Sequence, residues 1–528
     1  MTLSILLLAT GCIDGPSGSA DPGDQDMDMA APEPDAGNMQ DMGNPQEDMS
    51  APPDMETPPA DMTEPTDDGL EEDQGAPSDM AADMPPSQDM GCESGSPAPD
   101  EPFVICEAMD FEQMRLNPEN SYVLGKDVIL PEDFQPIRDF SGDFDGQGHT
   151  ISGISLTQTK ANAANCGGDD APIYIGGFIS HVENATLNNI DFGQVLVGQD
   201  TVLKYTHQDM CRLNAGGLFG RISGSQVTNI KVNGLDAHTN ALFGGIAYQA
   251  DSSTFSSVHV IDAQGTAPNI ISGNSAAGVI LIAEDLELEN VSFQGTIRAT
   301  GAGPSNERSL FIQQADGANR WSNIAVRGQV VLSPNLLSSG RAAAGLLATL
   351  TETGSLAISD CAIEVSIDAH ANNVAGLVAN IREDKGNPGT QPFEVSDCYV
   401  GEFGSVRTST LKNSKITGGL LGTVEIAGER IELTRVYVQT DLDASTVSAP
   451  PYPARGCISA TAFMGEPTLR EVHPMNAPAA SPQRLLCESE IAATMNTALF
   501  SQTGRHLRLT SLESWFGPLR ISNFSIEQ

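Results

Sequence analysis

The sequence has few basic residues, and none of them lies near its start. Of 528 residues, 26 are Lys or Arg and 70 are Asp or Glu, and the first of the 26 is Arg115. The segment from Asp14 to Asp100 contains 24 of the acids, so it carries over half of the formal net charge of −44. Because a protein needs a basic face to neutralise phosphates, this composition excludes a nucleic-acid partner.

Long hydrophobic runs are absent from the N-terminus. The mostly apolar stretch from Leu3 to Ala9 is too short to span a bilayer. It is followed by Thr10, Gly11 and Cys12, and these residues resemble the lipobox of bacterial lipoproteins. The resemblance implies cleavage before Cys12, lipid attachment to its sulfur and an outer-membrane location. The alternative is an ordinary secretory signal with an unrelated cysteine.

The segment from residue 13 to residue 91 has the composition of a disordered stalk. It contains the dipeptide Asp-Met nine times, many prolines and few aromatic or β-branched residues. Such a chain cannot bury enough apolar surface to offset the entropy lost on folding. Its reach lies between roughly 50 Å and somewhat over 200 Å. We favour a solvated spacer over a soft-metal site, since Met-Asp repeats lack accompanying Cys or His.

Eight cysteines follow the predicted lipidation site, and an even number after an export signal favours disulfides. Pairing of sequential neighbours is the simplest arrangement. There is no Cys-x-x-Cys motif and no Cys/His cluster at zinc spacing, so we expect no metal site. The predicted pairs are Cys92 with Cys106, Cys166 with Cys211, Cys361 with Cys398, and Cys457 with Cys487.

An internal repeat organises the region from Ile173 to Leu442. A small-residue marker is followed twelve residues later by a short alternating segment, and three further copies contain insertions. One copy has too little apolar surface to fold alone, so stacking of eight copies predicts a β-solenoid. Small markers should let coils approach closely, and Asn at turns should tolerate left-handed backbone. The marker and segment starts are Gly176 with Asn188, Gly216 with Thr228, Gly244 with Ser256, Ala277 with Glu289, and Leu310 with Ser322, and the later segments start at Ser359, Ser396 and Thr434.

The marker "GGLFG" with its following "TNIKV" resembles the GLUG repeat family of bacterial surface proteins. The segment from Ser121 to Leu156 is similar to the usual lead-in to such repeats. This resemblance implies an all-β fold, a right-handed parallel β-helix or similar solenoid, in an adhesive or surface-exposed protein. It implies no catalytic residue. Cys361 and Cys398 occupy equivalent positions in consecutive repeats, so they form either a disulfide between coils or a ladder of buried thiols.

The lead-in contains "GDFDGQG", which superficially resembles a calcium loop through Asp143, Asp145 and Gly148. A calcium loop needs further oxygen ligands and a distal acid, and the residues that follow supply none. We therefore interpret the acids as turn formers between short strands. The apolar residues around them are expected in the core, namely Phe140, Phe144, Ile151, Ile154 and Leu156.

An enzymatic alternative is a polysaccharide lyase or glycoside hydrolase built on the same helix. Such a site needs clustered carboxylates on an outer face. Alternation would place Asp285, Glu287 and Glu289 on one face, although outward acids more often form a solvated strand. The sequence has only two tryptophans and none of the common hydrolase or phosphate-binding motifs. The candidate acids are Glu284, Asp285, Glu287 and Glu289, and Asp169 with Asp170.

These observations predict a tethered surface protein with five regions. They are a signal (1–12), a stalk (13–91), a cap with first coils (92–172), the repeats (173–442) and a C-terminal cap or extension (443–528). We expect no cofactor and no enzymatic activity. The predicted partners are a membrane, through the lipid, and an unidentified surface ligand that is either protein or glycan. A purely structural role in the envelope is a third possibility.

Overall fold

A computed structural model of the chain describes part of its sequence. The predicted lipidation site, the predicted stalk, Asp169, Asp170 and four of the cysteines (Cys166, Cys211, Cys457 and Cys487) lie outside the described residues. The described residues are 92, 101–163, 173–199, 201–203, 213–261, 268–300, 307–332, 340–351, 353–369, 371–382, 392–408, 416–426, 430–438, 441–443, 454–456 and 467–474.

The described chain is a parallel β-helix, which confirms the predicted all-β solenoid class. Three sheets run along it, and every strand pairing within them is parallel. Sheet A contains 19 described strands, and sheets B and C contain nine each. Between Ile173 and Asp443, each coil contributes a short strand to sheet C, a short strand to sheet B and one or two strands to sheet A. Membership of the GLUG family stays a prediction.

The strands fall into the three sheets as follows. Sheet C contains Ile173–Gly176, Leu213–Gly216, Leu242–Gly244, Ala276–Ala277, Glu307–Ser309, Gly340–Ala344, Ala371–Ala375, Ile416–Gly418 and Ala454–Gly456. Sheet B contains Ile137–Phe140, Ile179–Glu183, Phe219–Ser223, Ala247–Asp251, Ile280–Glu284, Ile312–Asp316, Leu347–Leu350, Val378–Ile381 and Leu421–Val424. Sheet A contains Phe103–Ile105, Tyr122–Leu124, Val128–Ile129, Asp143–Asp145, Thr150–Ser152, Ile154–Leu156, Thr186–Phe192, Val195–Val197, Gln226–Asn233, Leu235–Thr239, Thr254–Ile261, Asn269–Ser272, Glu287–Ala299, Ala318–Leu332, Ser355–Ala369, Phe393–Thr408, Ile431–Val438, Asp441–Asp443 and Thr468–Pro474.

The repeat markers form one register column in sheet C. Gly176, Gly216, Gly244 and Ala277 lie side by side in successive coils. In the next coil Ser309 occupies this position, so the predicted marker Leu310 is one residue late. The segment starts nevertheless align as predicted, because the fifth coil has one more residue between its marker and its sheet A strand.

The interior of the helix is a continuous apolar core. One contributing column comes from the bend between sheets C and B, where the third residue of each marker turns inward. All of its members are fully buried, namely Phe178, Leu218, Ile246, Val279, Phe311, Leu346, Leu377 and Leu420. The core residues predicted around the lead-in, from Phe140 to Leu156, are also buried. Stacking of coils therefore gives each short strand the apolar contacts that it lacks alone.

A short helical segment covers the start of this core. A 3₁₀ turn, Ala108–Asp110, leads into α1, Phe111–Leu116. The buried Phe111 ring packs edge-on against Phe178, with ring centroids 5.4 Å apart. A second helix, α2, spans Gln158–Ala163 after the lead-in strands. These short helices bury apolar surface that the first coil would otherwise expose.

The residues singled out in the lead-in form a turn. Asp145 ends a strand, and its Oδ1 accepts the N–H of Gln147 at 2.9 Å and the side-chain amide of Asn189 at 3.1 Å. Gln147 and Gly148 both adopt positive φ angles, as a tight turn requires. The carboxylate of Asp145 is therefore occupied by hydrogen bonds that shape the chain, in agreement with the turn interpretation.

Two of the predicted disulfides lie within the described residues. Cys92 is bonded to Cys106, and Cys361 is bonded to Cys398. The second pair joins neighbouring coils inside the core, with Cα atoms 4.4 Å apart. The structure therefore favours the disulfide over the ladder of thiols.

The sheets also continue past Leu442. Strand Ala454–Gly456 extends sheet C, and Thr468–Pro474 extends sheet A. Coil pairing thus reaches into the region predicted as a C-terminal cap or extension.

Candidate functional site

The predicted acidic face does not assemble into a site. Asp285 lies in the turn before the sheet A strand, at a φ of 50°, and its carboxylate accepts the N–H of Ala318 at 2.6 Å. The expectation that Asp285 shares a face with Glu287 and Glu289 is therefore wrong, because the turn interrupts the alternation. Glu284 ends the preceding sheet B strand, and all four side chains are exposed. Glu287 lies beside Arg320 in the next coil.

A cleft of about 720 Å³ lies between the cap and the first coils, and carboxylates line it. Asp145 is engaged in the turn, and Asp143 accepts the hydroxyl of Ser121 at 3.3 Å. Burial, with the nearby charge of Glu119, raises the pKa of Tyr122 to about 12, so this phenol stays protonated. The lining contains no Lys, Arg or His. Of the four carboxylates in the lining, Asp143 and Asp145 are thus already hydrogen-bonded within the protein.

The outer side of the bend between sheets C and B forms a narrow corner that runs along the coils. The two strands approach so closely that a β-carbon on Gly216 would lie 1.7 Å from the carbonyl oxygen of Phe219. Small marker residues are therefore needed for two close approaches. One is between successive coils, and the other is between the two strands that meet at the corner. The residue two positions before each marker lies on sheet C, and the residues four and five positions after the marker lie on sheet B. Their side chains meet at the corner.

We call the row formed by these side chains the corner groove. With a strand spacing near 4.8 Å, its eight coils extend over roughly 35 Å. Its sheet C wall contains Tyr174, Asn214, Leu242, Ser275, Glu307, Ala342 and Asn373. Its sheet B wall contains His181, Arg221, Gln249, Ile282, Gln314, Thr349, Asn380 and Thr423.

Aromatic rings from the first and third coils meet at one end of the corner groove. The ring centroid of Tyr174 lies 5.9 Å from that of His181 and 5.5 Å from that of Tyr248. The coil between them has Gly216 and Gly220 at the corner, so no side chain there separates the rings. Further along, Leu242 and Ile282 pack against Leu281 in a small apolar cluster distinct from the main core.

The fifth to seventh coils of the groove contain a polar network. The carboxylate of Glu307, only 8% exposed, accepts hydrogen bonds from Gln313 and from Thr349. Arg382 completes it with an ion pair at 3.3 Å. At the aromatic end, Arg221 donates twice to Asp251, at 3.0 and 2.9 Å. These charges are neutralised within the protein, so the groove offers hydrogen-bonding groups with little net charge.

The outer face of sheet A carries a second polar row in four consecutive coils: Asp191, Lys231, His259 and Ser292. The ring Nδ1 of His259 lies 2.9 Å from the hydroxyl of Ser292. Burial, and secondarily the charge of Lys231, lowers the pKa of His259. A Ser–His pair is a possible nucleophile and base. Ser292 is only 4% exposed, however, so a substrate has little access to its hydroxyl.

Reasoning from the sequence missed the corner groove. The signal that could have found it is the alignment of the residues two before and five after each marker, whose types vary from copy to copy. Alternation marks such residues only as outward-facing, and does not show that two outward faces meet. Among the described residues, no three His, Cys, Asp or Glu side chains converge on a metal position, and no helix is long and apolar enough to cross a bilayer.

No protein-family model matches the chain, and no curated protein matches it. Among solved structures, the chain is similar to the crystal structure of a putative immunoglobulin A1 protease from Bacteroides ovatus. The sequences are 13% identical, the TM-score is 0.29, and the match covers 72% of this chain and 85% of that one. At these values the similarity carries no argument about activity.

Proposed function

We propose that the protein is a non-enzymatic, lipid-anchored surface protein that binds an extended polymer in the corner groove. The observation that carries this proposal is that side chains of sheets C and B from seven consecutive coils lie in one row outside the main core. A row with a regular spacing suits a linear ligand, because each coil offers one contact to one segment of it. Adhesion to another cell or to a matrix follows from such binding.

The charges of the groove support binding over catalysis. Glu307 is paired with Arg382, and Arg221 is paired with Asp251. Both carboxylates are therefore already engaged by cationic side chains of the protein. The lipid on Cys12 and the acidic stalk would hold the groove away from the membrane, so that a large partner could reach it.

The test compares two variants of the full-length protein displayed on cells. Gln249→Glu with Gln314→Glu adds two acids to the sheet B wall of the groove. The matched control, Thr254→Glu with Ser322→Glu, adds two acids to sheet A in the same coils. We expect the groove variant to lose at least tenfold in binding to immobilised matrix proteins and polysaccharides, and the control to keep it.

Equal binding by both variants would contradict the proposal. Release of soluble products from a polysaccharide would also contradict it and would support the lyase or hydrolase alternative. In that case Glu287→Gln and Asp285→Asn would show whether the outward acids take part, since both should then abolish product release.

A further inference from the structure

The aromatic end of the corner groove contains a buried acceptor that has no partner. Asn214 lies on sheet C between Tyr174 and Leu242 in adjacent coils, and it is 3% exposed. No hydrogen bond reaches its side-chain oxygen. Since buried polar groups are nearly always paired, an unpaired acceptor here indicates a position where a donor belongs.

A second open acceptor lies in the same aromatic cluster. The Nδ1 atom of His181 is 3.1 Å from the carboxylate of Asp139. A carboxylate only accepts, so Nδ1 carries the hydrogen in the tautomer that this contact selects, which leaves Nε2 as an acceptor. Nε2 has no partner within the protein. The Asn214 oxygen and His181 Nε2 can therefore both accept a hydrogen bond from a ligand.

The side chains and strands around these two acceptors indicate which class of ligand supplies the hydrogen-bond donors. The cation of Arg221 is neutralised by Asp251, so the site has no spare charge to hold an anionic group. The strands beneath the rings, Leu213–Gly216 and Phe219–Ser223, pair with neighbours on both sides, which leaves no edge for a peptide strand. Hydroxyl groups on a ring with an apolar face match uncharged acceptors placed among aromatic rings.

We infer that the first three coils of the corner groove form a subsite for one neutral sugar ring of an oligosaccharide. The sugar packs against Tyr174 and donates hydroxyl hydrogens to the Asn214 oxygen and to His181 Nε2. Because Asn214 is buried, the half-buried ring of Tyr174 turns aside as the sugar enters. This subsite rests on the proposed function and assigns the groove its ligand class.

The test uses the whole protein and short neutral hexose and N-acetylhexosamine oligosaccharides, with uronic-acid oligosaccharides as the charged comparison. Asn214→Leu removes the acceptor at similar volume. It should reduce affinity for the neutral sugars at least tenfold and yet raise the unfolding temperature, because it removes an unpaired polar group. Tyr174→Ala should weaken binding similarly. Asn233→Leu, on sheet A of the same coil as Asn214 and outside the groove, should leave affinity within twofold.

The outcomes separate the subsite from the groove. Neutral sugars that bind unchanged to Asn214→Leu and Tyr174→Ala, or a preference for uronic acids, would overturn the subsite. If the two-acid groove variant still abolishes polymer binding in that case, the proposed function stands. If no variant in the groove affects polymer binding, both the function and the subsite fail.

Discussion

One residue in each coil of sheet A adopts left-handed backbone, and its side chain ties the coils together. Asn229 donates to the side-chain oxygen of Asn189 at 2.7 Å, and Asn323 donates to Asn290 at 3.1 Å. Asn is the non-glycine residue that best tolerates this conformation. The column has φ angles between 49° and 56° at Asn189, Asn229, Ser257, Asn290, Asn323, Asp360, Asp397 and Arg435.

Replacement of Asn229 should separate the hydrogen bond from the backbone strain. Asn229→Gly loses the bond but keeps the conformation, and should lower the free energy of unfolding by about 1 kcal/mol. Asn229→Ala adds strain at positive φ, and should lower it by about 2–3 kcal/mol. Urea denaturation of both variants measures the difference. Equal losses would show that the backbone conformation contributes nothing.

His259 should make stability depend on pH. Its pKa is lowered by burial, so between that lowered pKa and its ordinary value of 6.5 the folded chain binds fewer protons than the unfolded chain. The free energy of unfolding therefore rises with pH through this window. The increase due to His259 is complete above pH 6.5.

His259→Gln should flatten the pH dependence below neutrality, as measured by denaturation at about pH 5 and about pH 7.5. Ser256→Gln, which changes no titratable group on the same strand, serves as the control and should leave the slope unchanged. Parallel curves for the wild type and His259→Gln would contradict the assignment.

The bend between the strands of sheets C and B sets the architecture at the level of the element. At Gly244 a β-carbon would lie 1.8 Å from the carbonyl oxygen of Ala247. Ala277 occupies the same register position in the next coil, so the corner widens along the helix enough to admit one methyl group. The polar and aromatic walls of the groove exist because this corner closes.

Gly244→Ala should open the corner and lower the free energy of unfolding by about 1–3 kcal/mol through overpacking. Ala277→Gly should cost only about 1 kcal/mol, from the lost methyl group and the greater freedom of the unfolded chain. Denaturation curves give both values. A tolerated Gly244→Ala would mean that the corner relaxes freely, and the groove would then lack a defined shape.

The charge of the whole molecule is distributed unevenly, with 24 acids and no bases between Asp14 and Asp100. If this region is a stalk bound to a lipid at Cys12, then Cys12→Ser should move the protein from the membrane fraction to the soluble fraction of a bacterial host. Immunoblotting of the two fractions measures the shift. Deletion of residues 13–91 should keep the protein in the membrane but reduce its access to antibodies at the cell surface.

Sequence alone determined the periodic properties of this protein. Period-two alternation, small markers and turn-forming Asn or Asp are local, so the solenoid class, the role of Asp145 and the register of the sheet A segments could be predicted. For Cys361 and Cys398 the sequence left two alternatives, because equivalent positions in neighbouring coils allow a disulfide but do not require one.

Only the tertiary structure decided how the outward faces relate to one another. It placed Asp285 in a turn, away from Glu287, and shifted the fifth marker from Leu310 to Ser309. It also brought Tyr174, Asn214 and Tyr248 together from three different coils. Alternation predicts that a side chain points away from the core. The angle between two strands decides whether that side chain is exposed to solvent or packs against the side chains of the neighbouring sheet. That angle depends on the packing of all coils, which no single repeat encodes.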